Sequence, residues 1–108
     1  MKHAYNKLVR DKIPTIIIES GRHCEFQTLE GEALLDALKE KLIEKAEVFS
    51  KRATADELSD IYDLLDTIVE KFDYEPMYID YLKMQNKERK GSYSGNTFLL
   101  YIEDDQEN

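Results

Sequence analysis

The stretch LKEKLIEKAEVFSKRATADELSDIYDLLDTIVEKF, residues 38–72, contains two apolar patterns of helical period joined by a short polar connection. In each half, an apolar side chain recurs every three or four positions, which places one apolar stripe along a helix. Thr54 and Glu57 have the form of a capping box, in which a threonine at the N-cap is followed three residues later by a glutamate. The stretch therefore predicts two long helices, about 32–51 and 54–73.

The flanking sequence predicts two further helices and two short strands. A short helix is expected over 12–20, capped by Asp11, and a third long helix is expected over 76–89 because a proline opens it and a glycine follows it. Residues 24–28 and 97–103 are typical of strands and can pair as a small two-stranded sheet. The predicted fold is all-α, a helical bundle with three long helices, one short N-terminal helix and this small sheet.

Length and composition limit the class of protein. The 108 residues predict one domain, 1–103, followed by a frayed acidic tail, 104–108. No apolar run is long enough to span a membrane, and the N-terminus has no signal-peptide pattern. The single cysteine, Cys24, has no partner for an internal disulfide, so a cytoplasmic protein is expected. The net charge of −8 argues against a nucleic-acid binder.

The positive charge is concentrated in two short segments. Residues 1–12 and 83–90 carry most of their charge as lysine and arginine, whereas the sequence between them is acidic. This distribution suits a phosphate chain together with its metal ions. Salt bridges between surface segments would explain the same distribution.

Two pairs of carboxylates lie on the two central helices. Glu44 and Glu47 are three residues apart, as are Glu57 and Asp60, and residues at this spacing share one face of a helix. If the helices pack antiparallel, the four carboxylates can point at one site. Oxygen ligands of this kind suit Mg²⁺, or Mn²⁺. Glu57 also has a structural role available as the capping-box residue.

Four segments together resemble a known family. They are YNKLVRDKIP at 5–14, LKEKLIEKAEVF at 38–49, DELSDIYDLLDTI at 56–68 and KERKGSY at 87–93. The sequence resembles the all-α NTP pyrophosphatase superfamily, and is most similar to its house-cleaning branch related to MazG and to phosphoribosyl-ATP pyrophosphohydrolase.

The resemblance implies a Mg²⁺-dependent hydrolase that converts a nucleoside triphosphate to a monophosphate and pyrophosphate, and that forms a homodimer or a higher homo-oligomer. Combined with the spacing of the carboxylates, it leads us to expect Glu44 and Glu47 as catalytic residues and as metal ligands, with Glu57 and Asp60 completing the metal site. Basic residues would neutralise the phosphates in the transition state. The expected phosphate-binding residues are Lys7, Arg10, Lys12, Lys87 and Arg89.

The first acidic helix departs from the pattern of its relatives. They tend to carry Glu-Glu-x-x-Glu, whereas this sequence has Lys45 and Val48 at the second and third acidic positions. Helix geometry places Lys45 and Val48 on the flank that Glu57 and Asp60 share. Two interpretations follow: an active site shifted onto the remaining acids, or a catalytically impaired relative that binds a nucleotide or a protein partner. A purely structural dimerisation module is the third alternative.

Overall fold

The computed structural model describes residues 2–104. Within that range the chain is all-helical, which confirms the predicted class, and its helices are too short or too polar to cross a membrane. The regular elements are α1 (Ile13–Glu19), α2 (Gly31–Lys51), α3 (Ala55–Lys71), α4 (Pro76–Lys90) and a single 3₁₀ turn (Tyr93–Gly95).

The chain divides into two compact units. The first, Met1–Tyr74, contains α1, α2 and α3, and the second, Glu75–Asn108, contains α4 and the 3₁₀ turn. The candidate functional residues on α2 and α3 therefore belong to the first unit. Of the tail expected to fray, Asp104 is exposed and irregular, and residues 105–108 lie outside the described part of the chain.

Helices α2 and α3 form an antiparallel hairpin. Residues early in α2 line the same cavity as residues late in α3, and Arg52 at the end of α2 reaches Glu57 at the start of α3. The predicted cap is present, because the Thr54 side chain accepts a hydrogen bond from the Glu57 backbone N–H at 3.2 Å. The second half of the capping box is not made. The Thr54 N–H donates to the Arg52 carbonyl, and the Glu57 carboxylate is left to bind cations.

The packed core of the first unit is small. Leu38 on α2 is 1% exposed and is the one fully buried side chain in residues 2–104. Leu58 and Leu65, two apolar residues of α3, are 38% and 46% exposed. The apolar arc of α3 is wide, and α2 covers only the side that carries Leu64.

The predicted sheet is also wrong. Residues 24–28 and 97–103 have no regular structure within the described chain, and Phe98 and Tyr101 are 86% and 74% exposed. The two segments fall in different compact units, so neither has a partner strand within its own unit. A lone pair of strands is only marginally stable without a packed apolar face, so strand-forming residues alone do not determine a strand.

The boundaries of the shorter elements follow local chemistry with one exception. Asp11 does not cap α1, because Lys12 is the N-cap residue and already has helical backbone angles, and its side chain makes no capping hydrogen bond. The predicted stop of α4 is confirmed. Gly91 follows Lys90 with a φ of 88°, a left-handed value that favours glycine.

Candidate functional site

A cavity of about 340 Å³ lies between the N-terminal segment and the α2–α3 hairpin. Its apolar wall includes Leu34, Leu38 and Leu64, and its charged wall combines four cations with three carboxylates. The same antiparallel packing that buries Leu38 brings these charges together. The cations are Arg10, Lys41, Lys45 and Lys71, and the carboxylates are Asp11, Asp60 and Asp63.

Lys45 lies against the acidic flank of α3, as helix geometry predicts. Its Nζ is 3.0 Å from Asp60 Oδ2 and 4.0 Å from Glu57 Oε1. The hydrogen bond to Asp60 raises the pKa of Lys45 above its usual value, with further help from the nearby charges. Lys45 is therefore a fixed positive charge beside the two α3 carboxylates that the sequence suggested as metal ligands.

Arg10 fastens the N-terminal segment to α3. Its Nη2 donates to Asp60 Oδ1 at 2.7 Å and to Asp63 Oδ2 at 2.8 Å. These bonds raise the pKa of Arg10, and the Arg10 bond, followed by the Lys45 bond, lowers the pKa of Asp60. Both oxygens of Asp60 are thus bound by cations of the chain itself.

Only one of the two carboxylate oxygens of Glu57 has a hydrogen-bond partner among the described residues. Its Oε2 accepts a hydrogen bond from Arg52 Nη2 at 3.3 Å. Its Oε1 is buried and has no hydrogen-bond partner among the described residues, and the Lys45 ammonium 4.0 Å away interacts with it only through charge. A buried acceptor without a donor is unfavourable, so Glu57 Oε1 depends on this neighbouring positive charge.

Glu44 belongs to a different group of charges. It accepts a hydrogen bond from Lys41 Nζ at 3.2 Å and forms an ion pair with Lys7 Nζ at 3.5 Å. The Lys41 hydrogen bond lowers the pKa of Glu44, and Lys7 adds to this effect. Glu44 lines a second cavity of about 290 Å³, which Lys7 and Tyr5 also line.

The four carboxylates expected to form a metal site are not brought together. Glu57 and Asp60 share Lys45, whereas Glu44 pairs with Lys7 and Lys41. The Glu47 side chain is in no ion pair or side-chain hydrogen bond among residues 2–104. Within residues 2–104, no group of three or more histidine, cysteine, aspartate or glutamate side chains is placed to hold a metal ion. In this arrangement the side chains do not fit a Mg²⁺ ion, which needs several oxygens in near-octahedral geometry.

The expected phosphate-binding residues are distributed over the two units. Lys7 and Arg10 are in the ion pairs described above, and Lys12 is exposed at the start of α1. Lys87 and Arg89 lie in the last turn of α4, in the second unit.

Two cavity cations, Lys41 and Lys71, were not among the expected phosphate-binding residues. Lys71 follows Leu64 by seven residues and Thr67 by four, and this helical spacing places all three on one face of α3. The apolar pattern of α3, read with Leu64 as its centre, would have identified Lys71.

Comparisons of this chain with protein-family models, with curated proteins and with solved structures gave no significant match.

Proposed function

We propose that this chain binds a nucleotide, such as a nucleoside triphosphate, through its phosphate groups in the cavity between the N-terminal segment, α2 and α3. The observation that carries the proposal is the charge of the cavity. Its lining has four cations and three carboxylates, although the whole chain has a net charge of −8. The excess is one charge, and Lys71 is the lining cation outside the described ion pairs; a positive charge in a concave site attracts anions. The resemblance to the all-α NTP pyrophosphatases is our reason for proposing a nucleotide as the anion.

The two walls of the cavity suit the two parts of such a ligand. Leu34, Leu38 and Leu64 offer an apolar surface to a base or a sugar. Lys71 forms no ion pair with the rest of the described chain, so its ammonium group is available to a phosphate without breaking an internal contact. Arg10 and Lys45 line the same wall, where they offset the negative charges of Asp60 and Asp63.

Calorimetric titration with ATP and other nucleoside triphosphates tests this function. We expect binding by the parent chain and a loss of about tenfold in affinity for Lys71→Gln, because one charge-assisted contact is removed. Lys39→Gln is the matched control, since Lys39 is exposed on α2 and does not line the cavity. The absence of binding by any nucleotide, with or without Mg²⁺, would overturn the proposal.

A second candidate function is the Mg²⁺-dependent NTP pyrophosphohydrolase activity that the resemblance implies. Glu57 Oε1 favours it, because this buried oxygen has no hydrogen-bond partner in the described structure and lies on the same helix as Asp60. The activity would require Lys45 to leave its place beside these carboxylates. Release of pyrophosphate from a panel of canonical and damaged nucleotides would support it, and no release at high protein concentration would exclude it.

We also propose that the chain acts as a homodimer. Leu58, Tyr62, Leu65 and Val69 form a narrow stripe along α3, and the first three are 38%, 63% and 46% exposed. Apolar residues at i, i+4, i+7 and i+11 are the pattern by which helices pack against one another. A second copy offers an identical stripe, and burying two such faces enlarges a core in which one side chain is fully buried among residues 2–104.

A further inference from the structure

We infer that Lys45 substitutes for a divalent cation, so that the site takes nucleotide phosphates as the metal-free anion and not as the Mg²⁺ complex. The choice of ligand rests on the nucleotide-binding function proposed above, whereas the role of Lys45 rests on the contacts of Asp60 and Glu57.

The first argument is that the oxygens of Asp60 and Glu57 already lie next to cations of the chain. Asp60 Oδ2 bonds Lys45 at 3.0 Å, and Asp60 Oδ1 bonds Arg10 at 2.7 Å. One oxygen of Glu57 is held by Arg52, and the other is 4.0 Å from the Lys45 ammonium. A Mg²⁺ ion bonds its oxygens at about 2.0–2.1 Å, so an ion on Asp60 would lie within a few ångströms of a fixed positive charge. The ion would have to displace Lys45 or Arg10.

The second argument is charge balance. Three carboxylates, Glu57, Asp60 and Asp63, are matched by three cations, Lys45, Arg10 and Arg52. This group is neutral without a metal. Divalent-ion sites depend on uncompensated carboxylate charge, which this group lacks.

The third argument is the residue one turn further along α2. Val48 is half-buried and follows Lys45 by three residues, so it lies on the same flank of the helix. Its side chain offers no oxygen. The flank of α2 next to Glu57 and Asp60 therefore presents an ammonium group and an apolar group, and neither ligates a hard cation.

A consequence follows for the ligand. A Mg²⁺ ion bound to a triphosphate neutralises two of its negative charges and orders water around the phosphates. In a site with carboxylate oxygens free to complete its coordination shell, that ion strengthens binding. Here the carboxylates already have cationic partners and Lys71 is the cavity cation outside the described ion pairs, so the metal on the ligand weakens the attraction between ligand and site.

Two experiments test the inference separately from the proposed function. The first compares ATP binding in excess EDTA with ATP binding in excess Mg²⁺ at constant ionic strength. We expect affinity about threefold to tenfold higher in EDTA, because the free nucleotide carries more negative charge. Binding at least tenfold tighter in Mg²⁺ would overturn the inference while leaving nucleotide binding intact.

The second experiment uses Mn²⁺ alone, so it holds even if no nucleotide binds. Its readout is the loss of the free-ion electron paramagnetic resonance signal. The double variant Lys45→Glu, Val48→Glu is expected to bind Mn²⁺ at least about tenfold more tightly than the parent, since it adds two carboxylates and removes a cation. Lys39→Glu, a lysine-to-glutamate change on the exposed side of α2, controls for the charge reversal at Lys45. Equal Mn²⁺ affinity of parent and double variant, both folded by circular dichroism, would overturn the inference.

If the double variant does not fold, the single substitution Lys45→Gln keeps the test decisive. It removes the ammonium charge and leaves Asp60 and Glu57 in place. We expect it to bind Mn²⁺ more tightly than the parent, by about threefold or more, because the repulsion at the site is relieved. No change in Mn²⁺ affinity would count against Lys45 as the substitute cation.

Discussion

Two faces of α3 differ in how far the rest of the chain compensates their charges or covers their apolar side chains. The face toward α2 and the N-terminal segment carries Glu57 and Asp60, and its charges are bound by cations of the same chain. The other face carries Leu58, Tyr62 and Leu65, and more than a third of each of these side chains is exposed. On the charged face, every carboxylate oxygen of Glu57 and Asp60 except Glu57 Oε1 has a hydrogen-bond or ion-pair partner within 3.3 Å, whereas the apolar face is left partly uncovered. This difference is the basis for proposing a second copy of the chain at the apolar face and Lys45 in place of a metal ion at the charged one.

The largest expected effect comes from making the apolar face charged. Leu65→Asp places a carboxylate at the centre of the stripe, and burying an unpaired charge there would raise the dimer dissociation constant by about 100-fold or more. Sedimentation equilibrium over a range of concentrations measures it. Ser59→Asp is the control, because Ser59 is exposed on a different face of α3. A parent chain that is monomeric at high concentration would refute the assignment of this face.

A smaller effect is expected on the charged face. Asp60→Asn weakens the acceptor that Arg10 and Lys45 share, and leaves these two cations close together. We expect a loss of about 1–2 kcal/mol in the free energy of unfolding, because charge-assisted hydrogen bonds are lost and the groups are partly exposed.

Urea denaturation measures this loss, and Asp66→Asn is the matched control. Asp66 is exposed on α3 and takes part in no ion pair within the described residues. If the two substitutions change stability equally, the Arg10–Asp60–Lys45 contacts contribute nothing of their own.

The start of α3 orients both faces, and its cap gives a third prediction. Thr54→Ala removes the hydrogen bond accepted from the Glu57 N–H and should cost about 1 kcal/mol. Thr54→Ser should retain most of the stability, because serine offers the same oxygen. Thermal unfolding of both variants measures the difference. Equal losses in the two would show that packing of the threonine methyl group matters more than the cap.

The contrast between the two faces also explains what could be predicted from the sequence. Thr54 and Gly91 act on the backbone within a few residues, so the start of α3 and the end of α4 were predictable. The position of Lys45 beside Glu57 and Asp60 could be predicted from the fixed rotation per residue of a helix. Local chemistry of this kind is contained in short stretches of sequence.

The remaining features depend on competition among distant groups. The spacing of Glu44 and Glu47 equals that of Glu57 and Asp60, yet Lys7 and Lys41 draw Glu44 to a separate cavity. The i,i+3 spacing within α2 accounts for Lys41, but no pattern within α2 specifies Lys7, which comes from the distant N-terminal segment. The exposure of Leu65 depends likewise on how much of a wide apolar arc the neighbouring helix covers.

The smallest expected effect is the pH dependence of the charged face. Arg10, and then Lys45, lower the pKa of Asp60 below its usual 3.8 in the folded state. A depressed carboxyl pKa contributes stability that is fully present above pH 3.8 and is lost as the pH falls through the lower, folded value. The difference in unfolding free energy between the parent and Asp60→Asn should therefore be constant from pH 7 to about pH 5 and should shrink below pH 4. If the difference in unfolding free energy between the parent and Asp60→Asn stays constant down to pH 3, Arg10 and Lys45 do not stabilise the ionised carboxylate of Asp60.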